Sequence, residues 1–477
     1  VTLWHVDCSQ TSGCVLSPRG KTAMNSLTLP ERLMAKLDRF AWPLAAFFLV
    51  LGSYLLFDRL AIQQPWWPKN NTDLSVYLNA AEALSNGQSM YDRAQYPTDV
   101  YGYPPLWAEI IALVRIVLGE GRLWLVWMAL GVVALFASIA ILMRGFGHRT
   151  PWKWVVLLFS LFFAGHITRS DLYQVQPHFL LLLLIVLGLR FFALSKPIAG
   201  GVAWAAVFVC KPFTGALVFW LMRRGNWRAA FATLTAATVL FVGSFLPFLP
   251  DIIGGVKGWV TASGFHTGWP NVAKSGNETF YGLFHRLFGP ETKFSIPWVE
   301  IPSIIPFLMI PFLMIAVVGI YFSVTGKSRT AAIPAEERSA QDMVQAATVL
   351  GFAMSCGPLM ESPHCFMLMP GLIGSWLLAR RRWAQNARTK WRWVAAAGAW
   401  SLTMLWLAFP ITLPIINLYL LGKVSGPLLL VTVKMGLCLL ASCVLTTFAV
   451  VGDRKAQRVT QEGDRAAPAV RVRGVPA

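Results

Sequence analysis

The sequence predicts an all-α, polytopic integral membrane protein, and three observations predict it. Of 477 residues, 56% are hydrophobic and only 13% charged, with a mean hydropathy of +0.56. A soluble chain of this length needs far more charge to cover its surface. Apolar runs at Phe40–Phe57, Trp124–Met143, Phe179–Leu189, Ala229–Leu249 and Pro427–Val451 approach or exceed the thickness of a bilayer core. Between them the lysines and arginines gather in short patches, at Arg144–Lys153, Arg223–Arg228, Lys327–Arg329, Arg380–Arg392 and Arg454–Arg473. That asymmetry orients membrane helices with their basic loops inside. The net charge of +19 is thereby assigned to topology, and no nucleic-acid partner is expected.

With the patches as inner anchors, residues 1–39 form an inner segment, 40–451 the membrane domain, and 452–477 a basic tail without fixed structure that contacts anionic lipid at most. Residues 1–23 resemble neither a signal peptide nor a helix, and Met24 is the expected start. The first span, near 40–57, runs outward into a loop at 58–103. Within that loop Leu74, Tyr77, Leu78, Ala81 and Leu84 recur at helical spacing, predicting an amphipathic helix over Asp73–Leu84. Residues 104–119 are apolar but short, which suits a surface or re-entrant helix as well as a crossing. Trp124–Met143 returns inside.

Spans near 153–166 and 177–194 follow, leaving His166–His178 outside. Residues 198–222 cross out and back in two pieces broken at Lys211-Pro212. Such a break is tolerated at membrane depth only where protein or a wet cavity receives the freed backbone groups. The span near 229–249 leads to a second outer loop at 250–300. Spans near 302–324, 343–360, 364–379, 394–412 and 427–451 complete roughly eleven or twelve membrane helices.

The unusual polar residues all fall on the side opposite the basic patches, which points to one outward-facing polar cavity. Asp73, at the head of its helix, is either an N-cap or a general base, and Asp92 and Asp99 share its loop. Lys211 sits between apolar segments, too far from Arg223 to belong to that patch. A lysine at such depth either snorkels or binds an anion such as phosphate. Arg169, Gln174, Gln176 and His178 lie in an outer turn, where they meet water or recognise hydroxyls and phosphate. His364 follows Ser362-Pro363 at another outer turn, as a cap or as a group that stabilises a phosphate.

Two Asn-x-Thr triplets, at Asn70 and Asn277, match glycosylation sequons that also arise by chance. The seven cysteines lack CxxC spacing, so neither a metal site nor a disulfide framework is predicted. No carboxylate cluster suggests a metal, and no cofactor is expected.

Four stretches together resemble glycosyltransferase family 87, a branch of the membrane-embedded GT-C glycosyltransferases. The run Asp73-Leu74-Ser75-Val76-Tyr77 with Ala80-Ala81, Gly87, Tyr91 and Tyr103-Pro104-Pro105 is similar to the family's first outer loop. Gln174-Val175-Gln176 with Leu180 resembles its Gln-rich turn. Lys211-Pro212 through Arg223-Arg224 and Trp227-Arg228 resembles its Lys-Pro segment. Asn277-Glu278-Thr279 and Ser362-Pro363-His364 resemble its late motifs. Tyr173, Gln176 and Glu278 depart from the Gly, Asn and Gln of that pattern, which bears on sugar specificity.

The resemblance implies a GT-C fold and a hexose, often mannose, carried on a polyprenyl-phosphate donor. The acceptor would be a lipid or glycan at the outer face of a bacterial inner (plasma) membrane, with the active site facing the periplasm and membrane lipids as further partners. Asp73 would be the base of an inverting transfer. Lys211, His364 and Arg169 would hold the donor phosphate, and Gln174, Gln176, His178, Tyr77 and Asn277 the sugar or acceptor. A lipid-linked sugar flippase or transporter would share the broken helices and intramembrane charge. A cell-envelope polysaccharide polymerase or ligase would share the donor class.

Overall fold

The computed structural model describes residues 5–9, 12–17, 29–58, 73–92, 101–267, 277, 279–288, 304–325, 333–357, 360, 362–408 and 434–466. A short antiparallel hairpin, His5–Ser9 with Ser12–Ser17, precedes the helices. The helices are α1 (Leu29–Phe57), α2 (Asp73–Ser85), α3 (Leu106–Leu118), α4 (Glu120–Arg144), α5 (Trp152–Phe163), α6 (His166–Tyr173), α7 (His178–Ala193), α8 (Pro197–Cys210), α9 (Ala216–Arg223) and α10 (Trp227–Gly243). They continue as α11 (Ile252–Thr267), α12 (Phe280–Phe288), α13 (Ile304–Thr325), α14 (Ala335–Cys356), α15 (Met369–Ala384), α16 (Lys390–Ala408) and α17 (Lys434–Ala466).

Proline sets many of these boundaries. Pro105, Pro151, Pro177 and Pro334 each stand immediately before a helix, and Pro197 and Pro370 lie in a first turn. There the fixed φ fits the helix and the missing N–H would have had no partner anyway.

Among the described residues, the stretches Asp38–Phe57, Arg122–Arg144 and Trp227–Phe248 are long and apolar enough to cross a membrane. The pair α5 and α6, bent by 71°, would make a fourth. The crossings expected from the apolar runs are therefore not all single continuous helices. α7 and α8 are shorter apolar pieces, and α14 opens on Glu336, Glu337 and Arg338. Large apolar side chains stand exposed on α1 (Phe47, Val50), α10 (Phe231, Val239) and α13 (Phe312, Ile315), faces that suggest a membrane protein.

Two expectations are corrected. The outer region 250–300 is not only loop, since α11 and α12 lie within it. The basic tail does not lose structure at 452, because α17 runs unbroken to Ala466. A reason lies in Asp453, which turns inward and anchors the helix. Arg382 Nε donates to Asp453 Oδ2 at 2.8 Å, and Arg382 Nη2 reaches Glu337 Oε1 at 2.5 Å. Trp393 Nε1 also donates to Asp453, at 3.1 Å, and Thr389 bonds its other oxygen. Four helices, α14 to α17, are thus joined by one buried charge network. Arg382 lies in the Arg380–Arg392 basic patch, but its guanidinium is buried.

Removing one member of a buried ion network leaves its partners uncompensated. Arg382→Met is expected to lower stability by about 3–5 kcal/mol, read as a reduced thermal midpoint in detergent. Adding Asp453→Asn should recover part of that loss.

Close helix contacts rest on small residues. At Gly201 of α8 a Cβ would stand 2.6 Å from the Ala229 carbonyl oxygen of α10, so only glycine lets these backbones approach. This contact fixes the base of the segment that carries Lys211.

Candidate active site

Lys211 lies where α8 stops. Pro212 cannot continue the helix and biases the preceding residue toward extended backbone. Lys211 accordingly has φ −137° and ψ 91°. A 3-10 turn, Pro212–Gly215, follows, and both the amide and the hydroxyl of Thr214 donate to the Lys211 carbonyl at 2.9 Å. The break turns the side chain inward, where it is 8% exposed. Its ammonium donates to the Tyr103 hydroxyl oxygen at 2.9 Å and lies 2.8 Å from His364 Nε2. An ammonium has only hydrogens to offer, so Nε2 is the acceptor in that contact. Among the described residues two of the three ammonium hydrogens find acceptors, which leaves one for a ligand.

His364 stands on the 3-10 turn Ser362–Leu368 and packs edge-on against His178, with ring centroids 4.7 Å apart. His178 opens α7, and its Nδ1 is 2.6 Å from Asp171 Oδ1 of α6. The turn joining α6 to α7 is made by Val175 at φ 59°. A β-branched residue in the left-handed region is strained by roughly 1–3 kcal/mol. That turn brings Gln176 to α2, where its Oε1 accepts from the Tyr77 hydroxyl at 3.2 Å. The indole of Trp127 reaches the Gln176 carbonyl at 3.5 Å.

Asp73 opens α2, close to the start expected from helical spacing. One turn later Tyr77 is buried among Tyr101, Tyr103 and Trp107, with ring centroids 6.0–6.4 Å away. Burial first, then the Tyr103 hydroxyl and the Asp73 carboxylate, push the Tyr77 phenol well above its usual range. Tyr77 is therefore a fixed donor to Gln176 and not a phenolate.

Tyr101 shapes the Pro-Pro turn. Its hydroxyl donates to the Pro104 carbonyl (2.9 Å) and accepts from the Ala108 amide (3.0 Å), while Tyr91 donates to the Tyr103 carbonyl at 3.0 Å. The result is one contiguous line of groups: Asp73, Tyr77, Tyr103, Lys211, His364, His178 and Asp171.

Two of the expected residues face elsewhere. Arg169 reaches back to α1, donating to the Leu55 carbonyl at 3.4 Å. Asn277 ties two loops together: its Oδ1 accepts from the Thr279 hydroxyl at 3.0 Å and from the Met360 amide at 3.1 Å. Gln174 caps the end of α6 beside Val175. Asp92 is exposed, and Asp99 and Asn70 lie outside the described residues. Tyr103 and Asp171 were not singled out beforehand as site residues. The Tyr-Pro-Pro run hinted at the first. No local pattern marks the second, because its partner lies across a turn on another helix.

An apolar cavity of about 280 Å³ opens beside the line. Pro104, Phe208, Val209, Pro212, Phe241 and Trp259 are among its walls, so it adjoins both Tyr103 and Lys211 in sequence. Among the described residues no three His, Cys, Asp or Glu side chains converge in a way that could hold a metal ion. A buried ammonium can take a phosphate, and an apolar cleft lined by the residue next to it in sequence can take a hydrocarbon chain. A carboxylate at the other end of the tyrosine layer can take a proton.

The sequence model of glycosyltransferase family 87 matches residues 101–337. No curated protein and no solved structure matches the chain.

Proposed function

Because the sequence model of glycosyltransferase family 87, a family of membrane glycosyltransferases, matches residues 101–337, we propose that this chain moves a hexose, mannose first, from a polyprenyl-phosphate donor to a lipid or glycan acceptor. The fold is read as GT-C, and the site as facing the periplasmic side of the inner membrane. One observation carries the donor assignment: the buried Lys211 ammonium is held by Tyr103 and His364, and Pro104 and Pro212, the residues next to Tyr103 and Lys211 in sequence, line an apolar cavity. The phosphate would take the third ammonium hydrogen, and the isoprenoid chain would take the cleft.

In the transfer, the acceptor oxygen attacks the anomeric carbon from the face opposite the phosphate, inverting it. The bond from that carbon to the phosphate oxygen breaks, and its electron pair leaves on the phosphate. The acceptor proton passes to Asp73. Lys211 stabilises the negative charge that grows on the leaving group. His364 contributes by orienting that ammonium, since its Nε2 accepts from Lys211 in the ligand-free protein. Gln176 and Tyr77, bonded to each other between base and cation, are placed to meet sugar hydroxyls, with His178 and Gln174 behind them.

Purified protein supplied with labelled polyprenyl-phosphate mannose and an envelope lipid extract should form a labelled product and release polyprenyl phosphate. Movement of the donor across vesicles without bond formation would favour a flippase instead. Tyr103→Phe removes one partner of the ammonium. It should raise the donor KM about ten-fold, the range for one hydrogen bond to a charged group.

A further inference from the structure

Asp171 is 0% exposed and His178 2% exposed. Their contact uses one carboxylate oxygen and one ring nitrogen. The other two atoms, Asp171 Oδ2 and His178 Nε2, are buried with no hydrogen-bond partner among the described residues. A carboxylate kept only for packing would have both oxygens satisfied, because leaving one bare in an apolar interior is costly. Something other than local stability explains why this one is tolerated.

Charge explains it. Lys211 is a buried cation, and its described contacts, Tyr103 and His364, are both formally neutral. Asp171 is the buried carboxylate that shares its layer, reached through His364 and His178 by contacts of 2.8 Å, 4.7 Å between ring centroids and 2.6 Å. If ionised and bonded by the Nδ1–H of His178, Asp171 would offset the positive charge of Lys211 within the same buried layer.

We infer that Asp171, held by His178, is the built-in counter-ion of the Lys211–His364 phosphate site, competing with bound phosphate for the same positive charge so that the product can leave. This rests on the phosphate-binding role given to Lys211 above. The donor phosphate is a diester with one negative charge, whereas the leaving monoester carries up to two. An uncompensated ammonium would therefore hold the product more tightly than the substrate. Asp171 opposes that bias most strongly in the product state. It acts through His178 and His364 without touching the substrate, and is a positioning residue.

The test turns on a sign. Full-length protein in detergent is titrated calorimetrically with farnesyl phosphate, and in parallel with inorganic phosphate to separate the lipid from the anion. Asp171→Asn, which keeps the shape and removes the charge, should bind farnesyl phosphate on the order of ten-fold tighter, the size of one screened charge across such a distance. In turnover it should lower both the donor KM and kcat, since release becomes slower. Asp171→Glu should restore the wild-type affinity. His178→Phe removes the donor that holds the carboxylate ionised and should tighten binding in the same direction, which covers the case in which Asp171→Asn does not fold.

Equal or weaker binding by the folded variants overturns the inference and marks Asp171 as protonated or merely structural. Absence of farnesyl phosphate binding by the wild-type protein overturns the donor reading, and this inference with it.

Discussion

Asp73→Asn is expected to abolish sugar transfer while leaving the donor bound. The amide has the shape of the carboxylate and can still accept from backbone N–H groups at the start of α2, so the helix should survive. What it loses is the capacity to take a proton. General bases contribute about 10²–10⁴ in rate, and the loss should fall in that range, in kcat rather than in donor KM. Steady-state transfer measured against donor concentration separates the two. A variant with wild-type kcat would remove Asp73 as the base and leave the family assignment standing. The same measurement on Asp92→Asn serves as a control from the same loop, and that exposed residue should behave as wild type.

Lys211→Ala should fail in the opposite way. In the proposed reaction the ammonium holds the donor phosphate, and truncating one partner of a buried, hydrogen-bonded charge pair costs about 2–5 kcal/mol. That corresponds to roughly 30-fold to several-thousand-fold in affinity. Farnesyl phosphate binding should weaken by that factor and the donor KM should rise. Lys211→Arg should not rescue fully, because a planar fork cannot place hydrogens on the Tyr103 oxygen, His364 Nε2 and a ligand at once. Binding by Lys211→Ala at wild-type strength would show that the phosphate sits elsewhere. Loss in Lys211→Ala together with gain in Asp171→Asn would be hard to obtain from structural damage, since damage weakens both.

Much of this arrangement was legible in the sequence because local rules govern it. The Lys211-Pro212 break follows from proline stereochemistry alone, and the structure has it at that bond. The helix starting at Asp73 follows from 3.6-residue periodicity, and it ends within one residue of expectation. Sidedness of the charges brought Lys211, His364, His178 and Gln176 into one group; in the structure Lys211, His364 and His178 adjoin one another, while Gln176 bonds Tyr77.

Other features escaped because they depend on which way a side chain turns. Arg169 and Arg382 both lie among residues read as one functional or surface set. One side chain reaches α1 and the other a buried pair of carboxylates. Helical content in the outer region 250–300 was hidden because α11, with Gly254, Gly255 and Gly258, lacks the strong apolar periodicity that marks a helix.

The sequence by itself pointed to a chain that is mostly helix and apolar enough to suggest a membrane protein. Composition and periodicity act over a few residues, and such properties are written locally. Only the tertiary structure decided that the lysine of one broken helix meets a histidine 153 positions later, and that this histidine leans on an Asp171–His178 pair. Those contacts join segments far apart in the chain. They depend on how α6, α7, α8 and the Ser362–Leu368 turn pack against one another, and no local pattern encodes that packing.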